Sequence, residues 1–488
     1  MADYKHGTYG NFAESVGAVA AQSGTVAVYV GTAPVNLIRG YANRVNSPVK
    51  LLNFADVRQY FGYSQNWDAF TLCEAFKVHF DNSFGNVGPI VAINVLNPDT
   101  HRKAEATSVD LTFIKGRATI ISDTIILDTL ALAEKVEGTD YTVTYDCNKG
   151  QVVIGSIGED ITGTIKATYN EVDASAVTAD DIIGEVTAAG VYSGLGCVGL
   201  IYPELGLIPN LIAAPKWSST KAVYDAMIVA GTKINGHWEA FIGADIPVLD
   251  GNTKVDTIDA AIAWKKANGY VSEIHKPLWP MGQLDSGKPV HASTLYVWAQ
   301  MLVDASHDGI PMESASNKSV PVVKQYFGAG STNRGFDQQQ ANKLNANGIA
   351  TLVYWGGRWV LWGPHTGAYT HGADMDARAI FDVSIRMMMH VVNSFQRDHA
   401  LVIDSPMTRA MADTIKNREQ EKLDALTAVG AFIGSPKVEF RESDNGIGEL
   451  VEGNFSWYSQ GTTTPPFKSG TLSIAYTTEG FATYFGEV

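Results

Sequence analysis

Apolar positions in the first hundred residues change period three times. Residues 25–30 read TVAVYV, an unbroken apolar run closed by Gly31 and Pro34, which predicts a short buried strand. Over 54–61 and 67–80 the spacing becomes helical, with Phe70, Cys73, Phe76 and Phe80 on one side, before 90–95 returns to a continuous run. The alternation resumes from about 185 to 310: LIPNLIAAP, the helix STKAVYDAMIVAGTKI, the strand WEAFIGAD, the helix TIDAAIAWKKAN, a strand around HKPLWP and the helix HASTLYVWAQMLVDA. Short connections between alternating elements predict a sheet with helices on both faces. We therefore expect an α/β core built from residues 25–100 and 185–345, with 311–345, holding GAGSTNRG, as a long loop.

Residues 101–184 break this rhythm. Runs such as ATIISDTIIL, DYTVTYD, GQVVIGSI and GTIKATYN, interrupted by Asp, Gly and Asn, predict an inserted all-β domain. Residues 346–488 form an α+β domain in this reading. It opens on a hairpin, with Val353 and Trp355 before Gly356-Gly357 and Trp359 and Leu361 after, the glycines supplying the positive φ that a tight turn needs. Indoles in such a setting are expected to be core. A helix over 375–392 follows, with Ile380, Phe381, Ile385, Met388, Met389 and Val392 on one face. A second, over 408–425, pairs Arg409 with Asp413, Lys416 with Glu419 and Arg418 with Glu421. Strands are expected near KVEFRE, GELVEGNFSWYS and TLSIAYTT, and Leu472, Ile474 and Tyr476 give the last one a single apolar face. Residues 1–24, Gly- and Ala-rich without a period, read as an extended arm.

Composition narrows the function. With 488 residues, 45% of them hydrophobic, the chain can bury several cores, and near-average composition argues against disorder. A formal charge of −15 excludes nucleic acid as the main partner. Seven basic and fourteen acidic residues put nearly half of that charge in 101–184, which places the insertion on an exposed rim. Cys73, Cys147 and Cys197 match no zinc or disulfide spacing and fit a reducing cytoplasm. The N-terminus lacks the layout of a secretory signal, and no eighteen-residue apolar run spans a bilayer.

Candidate chemistry is sparse. His365, His371, Asp374 and Asp376 fall within twelve residues, but their spacing matches no zinc or calcium loop, and Asp374 or Asp376 is better read as a helix cap. GAGSTNRG lacks the Gly-Lys-Ser/Thr ending of a phosphate loop. His275 and His291 read as packed or capping residues. Neither a cofactor nor an enzymatic activity is expected, because no nucleophile, base and oxyanion set appears. The alternatives are a carbohydrate-active or metal-dependent hydrolase using the Trp-rich hairpin with His365, His371 and Asp374, and a cell-surface array protein.

Several segments, in this order, carry a resemblance: GTVAVYVGTAP, FDNSFGNVGPIVAINVLNP, IPNLIAAPKW, HKPLWP, DASHDGIPMESASN, and NANGIATLVYWGGRWVLWGPHT with everything after it. Together they resemble the sheath proteins of contractile phage tails, R-type bacteriocins and related contractile injection systems, leaving 101–184 uncovered. The resemblance implies a subunit that polymerises helically around an inner tail tube and drives it through a cell envelope by contracting, without nucleotide. Its implied partners are other copies of itself, the inner tube protein, and baseplate and tail terminator proteins, with no membrane insertion. The implied location is a virion or tail-like particle assembled in the bacterial cytoplasm. Strands exchanged between subunits would come from Thr8, Tyr9 and Phe12 at one end and Leu472, Ile474 and Tyr476 at the other. The acceptor sheet would hold Val438, Phe440, Phe455 and Trp457, on strands near 438–442 and 450–457. A tube-contacting helix would carry Arg409, Lys416, Arg418 and Lys422. Bending is expected next to Gly24 and within QGTTTPPFKSG.

Overall fold

The computed structural model describes residues 21–158 and 160–486, so Thr8, Tyr9 and Phe12 lie outside the described residues. Its first elements are β1 (Ala21–Gly31), β2 (Pro48–Leu51), α1 (Phe54–Tyr60), α2 (Leu72–Phe80) and β3 (Val87–Asn94). After residues 95–210 come β4 (Leu211–Ala213), α3 (Lys221–Ala230), β5 (Phe241–Asp245), α4 (Ile258–Ala267), β6 (His275–Leu278) and α5 (Ala292–Ala305). The six strands form one sheet in the order β6-β5-β4-β1-β3-β2, parallel except for β2, which runs antiparallel at one edge. Continuous apolar runs suit these strands because helices cover the sheet. β1 begins at Ala21, with Ala21 opposite Val87 and Gln22 opposite Gly88, so the last residues of the extended arm expected over 1–24 lie in the sheet.

Residues 107–169 build two three-stranded antiparallel sheets around their own apolar cluster, which includes Leu111, Phe113, Ile125, Val152 and Ile154. This unit is tied to the larger body through Asn36, whose Nδ2 donates to the carbonyls of Asp123 and Ile125, and through Arg39, which pairs with Asp128 at 3.1 Å.

The expected loop 311–345 holds more structure than its composition suggests. It contains a short strand, Lys324–Tyr326, and α6 (Gln338–Asn345). That helix starts on a capping box: Asp337 accepts from the Gln340 N–H at 2.9 Å, while Gln340 accepts from the Asp337 N–H at 3.2 Å. The hairpin then forms as β7 (Thr351–Trp355) and β8 (Arg358–Trp362), with Trp355 opposite Arg358 and φ of +59° and +81° at Gly356 and Gly357. Leu352, Val353, Val360 and Leu361 are buried, yet Trp355 is 49% exposed and Tyr354 59%, so the aromatic tip is not core as expected. Residues beside the hairpin also cover the edge of β6: Ala350 donates to the Pro277 carbonyl, and Gly367 to that of His275.

The remaining elements are α7 (Asp382–Asp398), α8 (Arg409–Ala428), β9 (Phe432–Glu439), α9 (Ile447–Val451) and β10 (Tyr458–Thr463). The sequence reading placed α7 too early and set only part of its inner face: Ile385 is buried as expected, but Met388 and Val392 are exposed, while Asp382, Val383, Arg386, Met387 and Asn393 are buried. The strand expected over GELVEGNFSWYS is instead the helix α9 followed by the start of β10. Residues 471–477, expected as a strand, have no regular structure within the chain.

Candidate assembly surface

The inner face of α7 is held by charge. Lys276 Nζ lies 2.6 Å from Asp382, with side chains 2% and 0% exposed, and also donates to the Gly363 carbonyl at 2.8 Å. One turn on, Arg386 grips Asp304 of α5 with both terminal nitrogens, and Asp304 further accepts from Thr25 at 2.6 Å and Gln300 at 2.9 Å. Burial lowers the Lys276 ammonium below its usual range, against the pull of Asp382. These pairs join α7 to both the sheet edge and its covering helix, so the C-terminal elements sit on the core in one register.

An adjoining side of α7 meets α8 and the β9–β10 ribbon around Val383, Met387, Leu423, Phe432 and Val438. A groove of about 680 Å³ opens between them, lined by Val391, Phe395, Leu423, Leu426 and Trp457 among others. Val438 lies on β9, whereas Phe440, Phe455 and Trp457 lie outside both strands and cluster together, Trp457 being 5.5 Å from Phe440 and 6.5 Å from Phe455 between ring centres. Beyond β10 the chain is anchored once more, where Thr464 donates through its amide to Ala431 and through its hydroxyl to Gly430. Lys468 then reaches over the Tyr369 ring at 5.9 Å, and farther on Leu472, Ile474 and Tyr476 are 90%, 91% and 82% exposed.

Of the four basic residues on α8, three are engaged within the chain. Arg409 and Lys416 share Asp413, at 3.0 and 3.6 Å, while Lys422 reaches Glu419 at 2.5 Å and Asp398 at 2.8 Å. The expected pairs of Lys416 with Glu419 and Arg418 with Glu421 do not form among the described residues; Glu419 instead meets His399 at 2.7 Å. Arg418 is exposed.

The residues weighed as candidates for chemistry are engaged in packing and capping. His365 stacks on Tyr369 and Phe381 and bonds the Ile380 carbonyl, and burial pushes it down to about 4. Asp376 caps the turn Ala377–Ala379, and among the described residues no group of His, Cys, Asp and Glu is placed to hold a metal ion. GAGSTNRG is tied down through Ser331 and Asn333 to Asp256.

Sheets of this kind take ligands at the carboxyl ends of parallel strands, beside helix N-termini. Here the chain fills that place itself. Asp245 accepts from the Ser293 N–H at 2.9 Å, and Glu74 accepts from the His291 N–H at 2.8 Å and Thr294 at 2.6 Å, all at the start of α5. His291 therefore occupies the cap position as expected, but its ring pairs with Glu74 at 2.8 Å. No helix among the described residues is long and apolar enough to cross a membrane.

The described residues form a mixed α/β body whose exposed large apolar residues gather towards its C-terminal end. About half of the exposed large apolar residues among those described lie after residue 387. The comparisons with known proteins give the kind of protein it is similar to. The chain is 26% identical to the tail sheath protein of Burkholderia phage BcepMu, over 94% of its own length and 93% of that protein's. It is 25% identical to a prophage protein of Pseudomonas aeruginosa strain UCBPP-PA14 described as a major tail sheath protein, covering 68% of this chain and 78% of that one. No family model matches. In fold, it is similar to a chain of the anti-feeding prophage baseplate (TM-score 0.58, 13% identity, 97% and 99% of the two chains). It is also similar to one from the contracted PVC sheath complex of an extracellular contractile injection system (TM-score 0.55, 11% identity, 98% and 99%). The resemblance to contractile tail sheath proteins thus holds over nearly the whole chain, and with it a structural role; the hydrolase alternative finds no support.

Proposed function

We propose that this protein is the sheath subunit of a contractile tail or tail-like particle, polymerising into a helical tube around an inner tail tube and shortening without nucleotide. The exposed segment 471–477 carries this reading. An extended stretch with apolar residues at every second position and no partner among the described residues gains backbone hydrogen bonds and side-chain burial by joining another sheet. When each copy gives a strand and another receives it, the contact is heterologous, and such contacts propagate as a helix unless they close into a ring. The N-terminal arm with Thr8, Tyr9 and Phe12 is a second donor in this scheme.

The β9–β10 ribbon near Val438, Phe440, Phe455 and Trp457 is the receiving sheet, and baseplate and terminator proteins bound the tube's ends. Residues 25–100 with 185–345, the insertion 101–184 and residues 346–488 are its three domains, moving as rigid bodies during contraction. Tube contact falls to α8; Arg418 is its most available cation, since Arg409, Lys416 and Lys422 are engaged internally. Assembly takes place in the bacterial cytoplasm. Electron microscopy of the purified protein should show hollow striated tubes, and a chain ending at Gly470 should stay folded and monomeric. Tubes formed by that truncated chain would refute strand exchange.

A further inference from the structure

β1 carries slack near its start. Gln22 stands opposite Gly88 and Ala27 opposite Ile90, so the four residues 23–26 face the single residue Pro89 of β3. Such a bulge bends the strand and leaves its extra residues unpaired on that side. Drawn straight, the three residues in excess would lengthen the strand by roughly 10 Å.

The bulge is held by what lies beneath it. Thr25, 3% exposed, donates through Oγ1 to Asp304 at 2.6 Å, and the Val26 N–H donates to Oδ1 of Asn210 at 2.9 Å. Gly24 rests directly on Gly309, where a Cβ on either residue would come within 3.1 Å of the other's Cα. The Gly309 N–H in turn donates to the Asp304 carbonyl at 2.8 Å. Asp304 therefore fixes the bulge twice, through its carboxylate and through the turn that Gly309 closes.

The same carboxylate is the counter-ion of Arg386 on α7. A cavity of about 470 Å³ opens beside them, and its wall carries Thr25, Val26, Arg386 and His390 but not Asp304, which is fully buried behind. Thr25 and Arg386 thus form part of the cover that keeps water off Asp304. An ion pair that water reaches holds its partners far less firmly than one kept dry.

We propose that Thr25 is a plug through which the start of β1 controls α7. While the bulge is seated, the Asp304–Arg386 pair stays dry and α7 is held on the core. When residues 23–26 are drawn straight, Thr25 leaves, water enters from the cavity, and α7 loosens. The far stretch of α7, with Val391 and Phe395, walls the groove beside α8, so a pull at the N-terminal strand reaches that surface as well. In a lattice the pull would come from the copy that takes up the N-terminal arm, which rests on the strand-exchange reading above; the coupling itself lies within one chain.

The lone protein tests it. Thr25→Ala removes the hydroxyl and leaves room for water, whereas Thr25→Ser keeps the hydroxyl. Native-state hydrogen exchange at the α7 amides should quicken about tenfold in Thr25→Ala and stay near the parent in Thr25→Ser, with the α3 amides unchanged in both. In a chain carrying Asp304→Leu and Arg386→Met there is no pair to wet, and Thr25→Ala should leave α7 exchange as it was. Unaltered α7 exchange in Thr25→Ala overturns the coupling. So does an equal rise with and without the ion pair, which would mark a plain loss of packing.

Drawing the strand out is tested by optical tweezers on a Cys147→Ser chain, with handles at Gln22→Cys and Ala267→Cys. The parent should lengthen by roughly 10 Å in a step below the unfolding force, and Thr25→Ala should take that step at lower force. Unfolding with no earlier step overturns the release. Tubes formed by the chain ending at Gly470 would refute strand exchange and leave both of these results untouched.

Discussion

Replacing Asp304 by Asn keeps the shape of a fully buried side chain and removes its charge. Arg386, only 4% exposed, would then have no counter-ion at its guanidinium, which lies 3.2 Å from one Asp304 oxygen and closer to the other. Burial opposes the charge on Arg386, but Asp304 and Tyr296 outweigh it and hold the group above its usual range. Guanidinium does not shed its proton, so the variant carries a buried, uncompensated cation. Removing one partner of such a pair costs about 3–5 kcal/mol, and because Asn keeps one acceptor oxygen we expect about 3 kcal/mol. That is roughly a hundredfold in the opening equilibrium. Native-state hydrogen exchange at the amides of α5 and α7 measures it without assuming a single global transition. The double replacement Asp304→Leu with Arg386→Met should recover most of the loss, since apolar residues often substitute for a buried pair at little cost. A change below about 1 kcal/mol for Asp304→Asn, or a double variant as damaged as the single one, would refute the claim that this pair registers α7 on the core.

Two further outcomes follow from the buried groups. Burial alone would lower His291, but Glu74 and then Asp245 outweigh it, against a smaller opposing push from Lys216, and hold it at about 9. A folded value above the unfolded one, about 6.5, means that the stability is fully present below pH 6.5 and is lost as pH rises through 9. The melting temperature should therefore fall between pH 7 and pH 9.5 by more in the parent than in Glu74→Gln; equal falls would dismiss the pairing. Burial also raises the Cys73 and Cys197 thiols to about 12, whereas Cys147 is partly exposed. At pH 8, intact-mass analysis after maleimide treatment of the native protein should show one adduct, at Cys147, and rapid addition of a second would show that one of the packed thiols is reachable.

The core was legible because a covered parallel sheet needs apolar residues on both faces, and TVAVYV or WEAFIGAD can serve little else. α6 escaped notice for the opposite reason. QQQANKLN has no apolar stripe, and its one available signal was the capping box from Asp337 to Gln340. On α7 the stripe was real but incomplete: periodicity ranks Met388 and Val392 as inner and Asp382 and Arg386 as outer, and two buried ion pairs reverse that order. β10 reads YSQGTT, polar because one margin and one face meet solvent in a lone chain. Gln420 of α8 accepts from the Val438 N–H at 2.9 Å and donates to the Pro436 carbonyl at 3.0 Å, a contact with no sequence signal, since it depends on α8 lying across β9.

The exchanged strand also constrains how such a lattice would hold together. Fully burying three side chains such as Leu472, Ile474 and Tyr476 yields about 5–8 kcal/mol. Some half-dozen new backbone hydrogen bonds add about 3–9 kcal/mol net. Ordering the seven residues 471–477 costs about 7–14 kcal/mol in backbone entropy. The balance is close to zero, so one arm meeting one acceptor in dilute solution gives little net binding. What stabilises a tube on this reading is repetition: once a subunit is held by one contact, its second strand docks at a high effective concentration. Soluble subunits would therefore persist until a template presents several acceptors at once. On the same reading, uncovered apolar residues at the C-terminal end are tolerable because each arm alone is too weak to pair off in solution.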